Sequence, residues 1–234
     1  MIECVIKMLS PKHIENRNDY QTPDLVDYIR KSFSLEDARH QHILYQMRKN
    51  ALPEIQIGAG EGKILQFLIK SCCAQKAVEI GTLGGYSALW IASALPENGK
   101  LYSMEYEKET AAGTKKALQE IGFSNKVSII VGDANETLKT IEPFGPFDFC
   151  FIDADKISYP NYLLWAERNL RKGGIVAADN AYLFGKVHLN PDTEGEDAPA
   201  ILAMQAFIKI LTNPSRFAVS AMIPTGEGLA VGIK

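Results

Sequence analysis

KAVEIGTLGGYSALWIASALPENGKLYSME, residues 76–105, decides the fold. A short apolar run, KAVEIG, leads straight into glycines and a helix-like stretch, and a second apolar run, KLYSME, begins only at Lys100. Two strands joined through a helix lie parallel in one sheet, and strands this apolar are covered on both faces. Toward the C-terminus the rhythm repeats with KVSIIVGD (126–133), FDFCFID (147–153) and GGIVAADN (173–180). The intervening segments have helical periodicity. In KETAAGTKKALQEIG, Ala111, Lys115, Leu118 and Gly122 share a face, and after the fourth strand Tyr159, Tyr162, Leu163, Ala166 and Leu170 do.

The ending breaks the pattern. A helix over APAILAMQAFIKILT is followed by RFAVSAMIP, the turn TGEG, and GLAVGIK. Strands separated by so few residues pair antiparallel, because a parallel return needs a crossover of about a dozen residues or more. The expected fold is therefore α/β, a seven-stranded, mostly parallel sheet with a C-terminal antiparallel hairpin and helices on both faces. Upstream, residues 1–60 read as extra helices forming a flap or association region before a core at 61–234. TPDLVDYIRKSF has Thr22 as N-cap and proline in first position. SLEDARHQHILYQMRKN is capped by Ser34, with Glu36 and Asp37 in its first turn, and EGKILQFLIKSCC forms a third, more buried helix. NPDTEGEDAP (190–199) is a polar loop.

With 234 residues, 46% hydrophobic and 23% charged, the chain suits one well-cored globular domain spanning 1–234. A formal net charge of −3 argues against nucleic acid as main partner. No apolar run approaches the roughly 20 residues that span a bilayer, and MIECVIKMLSPKH is too short in apolar residues for a signal peptide. A cytoplasmic protein with no membrane partner is expected. Cys4, Cys72, Cys73 and Cys150 lack C-x-x-C spacing and read as buried free thiols. His13, His40, His42 and His188 read as surface or satisfied histidines.

Chemistry-bearing residues gather at strand ends. Glycines after the first strand let the backbone approach a ligand at a helix N-terminus, although Gly81-Thr82-Leu83-Gly84-Gly85 does not meet the dinucleotide fingerprint G-x-G-x-x-G. Glu105, followed by Tyr106, closes the second strand where a carboxylate can hold ribose hydroxyls, and Gly132-Asp133-Ala134 closes the third. Asp153 closes the fourth, and Asp179 with Asn180 the fifth. If neighbouring units lie side by side, these three oxygen donors converge, and without histidine or cysteine they suit a hard cation such as Mg²⁺, Ca²⁺ or Mn²⁺. The same spacing also fits Asp153 and Asp179 as helix caps or as partners of Lys156 and Lys186. Asp155 reads as a cap.

EGKIL (61–65), VEIGTLGGYSAL (78–89), Glu105, VGDA (131–134), FIDADKISYPNY (151–162), GGIVAADN (173–180) and the GEGL turn together resemble the cation-dependent group of class I S-adenosylmethionine-dependent O-methyltransferases, which includes caffeoyl-CoA and catechol O-methyltransferases. The resemblance implies the Rossmann-like methyltransferase fold, S-adenosylmethionine and a divalent cation as cofactors, and a homodimer. It places Glu79, Gly81, Thr82, Tyr86 and Ser87 around the methionine part of the cofactor, Glu105 at its ribose, and Asp133 and Ala134 near its adenine. Ile55 and Ile57 stand where caffeoyl-CoA-type members more often have Met and Thr, so contact there would be backbone or van der Waals. Asp153, Asp179 and Asn180 would bind the cation, with Asp153 also near the cofactor, and Lys156 would be the catalytic lysine. Phe184 stands at a position that is polar in plant members, against a caffeoyl-CoA-like acceptor.

The implied reaction moves a methyl group to one hydroxyl of a catechol-like aromatic. A cation chelating two neighbouring oxygens lowers the pKa of one and fixes it in line. Burial and a nearby dication both disfavour the charged form of a lysine, which would let Lys156 accept the phenolic proton. Tyr182, Leu183 and Phe184 either wall the aromatic ring or pack their loop. The alternative reading from the strand-glycine-helix turn and Glu105 is a NAD(P)-dependent oxidoreductase.

Overall fold

A computed structural model describes residues 22–33 and 35–234, which fall into two units, one up to Leu35 and one from Glu36 to Lys234. Cys4, His13 and Ser34 lie outside the described residues. In the first unit, helix α1 (Pro23–Phe33) is capped by Thr22, whose hydroxyl accepts the Leu25 amide at 3.3 Å.

In the second unit, α2 (Ala38–Lys49) begins later than the Ser34 cap would require. Asp37 caps it by accepting the Arg39 and His40 amides, and His40 Nδ1 accepts the Asp37 amide in return. A carboxylate stands at the helix N-terminus where the free amides need it, so Glu36 and Asp37 lie before the first turn rather than inside it. Helix α3 (Ala59–Ser71) starts at the Gly58 cap, where Glu61 accepts the Gly58 amide at 2.7 Å.

Seven strands then form one sheet: β1 (Lys76–Ile80), β2 (Lys100–Glu105), β3 (Val127–Val131), β4 (Phe147–Ile152), β5 (Leu170–Ala178), β6 (Val219–Ile223) and β7 (Leu229–Ile233), in the order β3-β2-β1-β4-β5-β7-β6. β1 to β5 are parallel, and β7 runs antiparallel to both β5 and β6. The reversed pair is the hairpin anticipated from the short TGEG turn.

Alternation along the strands builds two separate cores. Phe149 and Phe151 face one apolar layer, shared with α2, α3, α4 (Tyr86–Ala94) and α5 (Lys108–Glu120). Cys150 and Ile152 face the other, shared with α6 (Ala134–Ile141), α7 (Tyr159–Asn169) and α8 (Ala198–Leu211). Phe147 joins Cys150 rather than Phe149, because the pairing with β5 shifts register between Phe147 and Phe149.

The buried face of α5 is Ala111, Thr114, Ala117 and Leu118, while Lys115 is exposed. Ala111 and Leu118 of the expected face are buried, but Lys115 and Gly122 turn to solvent; the face that packs takes Thr114 and Ala117 instead and spares the charged side chain burial. Cys150 is buried and Cys72 half-buried, but Cys73 is exposed, since it sits just past the C-terminus of α3. Among the described residues no helix is long and apolar enough to cross a membrane.

A polar clasp closes the lower end of the sheet, away from the strand C-termini. Burial alone pushes the Asp148 carboxyl up, but the Gln75 and Lys76 amides, each at 2.8 Å, and the Arg171 guanidinium outweigh it and hold its pKa below the usual range. Its charge thus stabilises the fold above about pH 3.9, its unfolded value, and that contribution is lost as pH falls through the depressed folded value. We expect Asp148→Ala to cost roughly 2–3 kcal/mol and to flatten the acid limb of stability against pH. Urea denaturation between pH 3 and 7 reads both effects.

Candidate functional site

Strand register creates a ledge at the carboxyl edge of the sheet. Ile80 pairs with Met104 and Ile152, and Ile152 pairs with Ala178. The next residues, Gly81, Asp153 and Asp179, therefore emerge side by side. The Asp153 amide donates to the Ile80 carbonyl at 2.8 Å and the Asp179 amide to the Ile152 carbonyl at 3.0 Å. Gly81 has φ +98°, and a Cβ on it would lie 2.1 Å from the Asp153 carbonyl oxygen, so only glycine fits.

Around the β1 turn the side chains expected at a cofactor form a connected set. Glu79 is fully buried; Ser103 donates to its Oε2, and its Oε1 has no hydrogen-bond partner. Burial pushes its carboxyl up to about 8. With the Ser103 proton so committed, the single Thr82 proton goes either to the Ser103 oxygen or to the Met104 carbonyl at 2.9 Å. Glu105 ends β2 with Oε2 accepting the Leu83 amide at 2.8 Å and Oε1 accepting the Glu107 amide at 2.9 Å, which fixes the carboxylate while leaving each oxygen a lone pair. Ser87 is buried in the first turn of α4. Tyr86 is buried beside it, its hydroxyl donating to Glu36 and its ring edge-on to His40 and Trp90.

The remaining expected cofactor residues are placed less uniformly. Asp133 is exposed and caps α6 by accepting the Asn135 amide at 2.8 Å, with Ala134 next to it half-buried. Ile57 is buried in the core, whereas Ile55 is 72% exposed.

The acidic side of the ledge carries Asp153, Asp179 and Asn180. Asp179 is 3% exposed, yet its Oδ1 has no partner. Burial first, then the charges of Asp153 and Glu61, push its carboxyl up to about 7. Burial likewise raises Asp153, against the opposing pull of Lys156. Asn180 follows with φ +55°. Lys156 Nζ donates to Asp153 Oδ1 at 3.1 Å and to the Tyr159 hydroxyl at 2.6 Å; that hydroxyl donates in turn to the Asp179 carbonyl at 3.0 Å. Burial, then the nearby Asp153 and Asp179, hold the Tyr159 phenol well above its ordinary pKa, so it is neutral. Among the described residues no three His, Cys, Asp or Glu side chains gather as a metal cluster; the oxygen set here is two carboxylates and one amide.

Neighbouring groups are committed elsewhere. Asp155 caps the turn after it, accepting the Ser158 amide at 2.9 Å and the Tyr162 hydroxyl at 2.7 Å. Lys186 pairs with Asp197 and not with Asp179. Of the trio after the acidic pair, Leu183 is buried and Tyr182 packs against Gly228, where a Cβ would come within 2.6 Å of its ring; Phe184 is 72% exposed. Loop packing thus takes two of the three residues, and an aromatic wall can come only from Phe184.

Sequence reading missed two partners. Tyr159 was visible only as part of a buried helix face, although its i+3 spacing from Lys156 was the available signal. His40, expected at the surface or satisfied, is buried against Trp90 with ring centroids 4.1 Å apart; its Nδ1 is paired with Asp37 and its Nε2 has no partner. His42 contacts Glu120 at 2.9 Å, and His188 is exposed.

Residues 31–234 match the protein family described as O-methyltransferase. The chain is 37% identical over 186 residues to a catechol O-methyltransferase of Niastella koreensis, covering 79% of this chain and 82% of the relative. It is 38% identical over 163 residues to a catechol O-methyltransferase of Mycobacterium tuberculosis, covering 70% and 72% respectively. Among solved structures, the O-methyltransferase TomG of Streptomyces achromogenes, involved in tomaymycin synthesis and solved in complex with SAM, superposes with a TM-score of 0.78 at 30% identity, covering 90% of this chain and 95% of that one.

Proposed function

Because the chain belongs to the O-methyltransferase family, we propose that it transfers the methyl group of S-adenosylmethionine to one hydroxyl of a catechol-like aromatic, with a divalent cation held by Asp153, Asp179 and Asn180. The observation that carries the reading is the buried, unpartnered Asp179 Oδ1 beside Asp153 on a common strand-end ledge, with Lys156 bonded to Asp153. A buried oxygen without a partner costs stability unless something charged or polar fills the gap. Two carboxylates raised by burial, one of them further raised by the other, and an amide oxygen are the donor set a hard cation takes. Family membership supersedes the nicotinamide-dependent oxidoreductase alternative.

The cofactor residues fit in the same sense. The Gly81 cradle admits close backbone approach, the buried Glu79, neutral without a ligand, would ionise beside one carrying positive charge, and the Glu105 carboxylate suits ribose hydroxyls. When bound, the two groups supply an electrophilic methyl and a Lewis acid that lowers the pKa of a coordinated hydroxyl. Asp153, Asp179 and Asn180 hold the cation; Glu105 binds hydroxyls of the ribose. Lys156 accepts the acceptor's hydroxyl proton at Nζ as the oxygen gains its methyl. Phe184 offers an exposed ring against an aromatic acceptor. A homodimer belongs to the same proposal, and light scattering at twice the chain mass would support it.

The test is a methyl-transfer screen over catechols, flavonoids and hydroxycinnamoyl conjugates, with and without Mg²⁺. Turnover should appear on a vicinal diol and fall at least roughly 10²-fold after chelation. Activity undiminished by EDTA would remove the cation from the reading, and turnover on single phenols alone would remove the catechol.

A further inference from the structure

Lys156 does not stand free beside the acidic ledge. Its Nζ is held by two acceptors on different elements: Asp153 Oδ1, just past β4, and the hydroxyl of Tyr159, the first residue of α7. Tyr159 is completely buried, and its ring also flanks the amine, 4.7 Å from Nζ to centroid. A phenol has one proton to give and lone pairs to receive with. Here the proton goes to the Asp179 main-chain carbonyl, with the Ile152 carbonyl at 3.4 Å as second acceptor. The oxygen is left to accept from Lys156. One buried hydroxyl therefore ties the lysine to the backbone of the residue whose side chain faces the proposed cation.

We propose that Tyr159 is the positioning residue for Lys156, fixing the amine against the Asp153–Asp179 ledge through its committed hydroxyl. The inference rests on the role proposed for Lys156. A lysine carries four rotatable side-chain bonds, and one ion pair three residues away leaves it free to swing toward water. With the tyrosine as second anchor, the amine is ordered before any acceptor arrives, which is the condition for efficient proton transfer. Removing the hydroxyl while keeping the ring takes away one anchor and leaves the packing.

Two measurements on the intact chain test this. In steady-state kinetics, Tyr159→Phe should lower kcat roughly 10- to 100-fold, with KM for the catechol and the Mn²⁺ activation constant changed less than about twofold. Adding Tyr159→Phe to Lys156→Ala should cause no further loss, since the hydroxyl acts only through that amine. A wild-type rate in the single variant, or a loss that multiplies in the double one, would overturn the assignment. Independently of turnover, reductive dimethylation read by mass spectrometry should label Lys156 severalfold faster in Tyr159→Phe than in the wild type, and equal labelling would also overturn it. Should the phenylalanine variant not fold, 3-fluorotyrosine in place of tyrosine weakens the oxygen as acceptor, and faster labelling at Lys156 is again expected, equal labelling again the refutation. If no catechol is methylated by the wild type, the functional reading fails while the labelling comparison still decides the anchor.

Discussion

Replacing Lys156 by alanine should lower kcat by roughly 10²- to 10⁴-fold, the range a well-placed general base contributes, with the dissociation constant for S-adenosylhomocysteine changed less than about twofold. The separation follows from where Nζ is held. Its partners are Asp153 and Tyr159, on the β4 side of the ledge, whereas the groups assigned to the ribose and methionine ends hang from β1 and β2. Calorimetry with S-adenosylhomocysteine and a turnover assay on the same preparation measure both. A variant that binds the product normally and still turns over at the wild-type rate would remove Lys156 as base; one that no longer binds would move it to the cofactor.

The second large effect concerns Asp179. Its replacement by asparagine should reduce cation-dependent turnover by roughly 10³-fold, because a Lewis acid contributes several kcal/mol and each 1.36 kcal/mol is tenfold. The same change should make the cation-free fold more stable. The Asp179 carboxyl is raised in the folded protein to about 7, against an unfolded value near 3.9. Between those values the folded state binds the extra proton, so stability contributed by this site declines as pH rises and is lowest above about 7. Asparagine carries no charge there. In EDTA at pH 8 its melting temperature should exceed the wild type's by roughly 5 °C, and at pH 4 the two should converge. Calorimetric melts at both pH values decide it: a variant less stable than wild type at pH 8 would mean that the carboxylate is matched by protein partners and has no need of a cation.

Much of this architecture was readable because its causes are local. Apolar runs ending in glycine, an acidic residue or asparagine marked five parallel strands, and the four-residue TGEG spacing forced the final reversal. Asp153 and Asp179 could be expected as neighbours from the sequence, since parallel strands end at one edge. What stayed hidden depends on tertiary contacts. Nothing in the neighbourhood of Ser34 announced that Asp37 and His40 would cap each other and start α2 later. The Lys115 face of α5 failed because helical spacing gives several possible stripes and the sheet chooses among them. Tyr182 and Leu183 are drawn into the loop by contacts with the distant hairpin, where the Ala181 and Tyr182 amides donate to the Gly228 and Glu227 carbonyls. Tyr159 escaped because a buried aromatic at helical spacing looks like any other core residue until its hydroxyl is seen between an amine and a carbonyl.

The hydrogen-bond ladder that carries Asp153 and Asp179 also divides the molecule's evolutionary labour. Their separation is set by the spacing of paired backbones, about 4.8 Å from strand to strand, and so owes little to which apolar side chains fill either core. Phe184 and the polar stretch at 190–199 hang outside that ladder. Sequence drift in the cores leaves the reacting groups in place, and drift in the outer segments changes what is presented to them. A lineage built this way can exchange one acceptor for another by altering its rim alone, keeping its chemistry through the change.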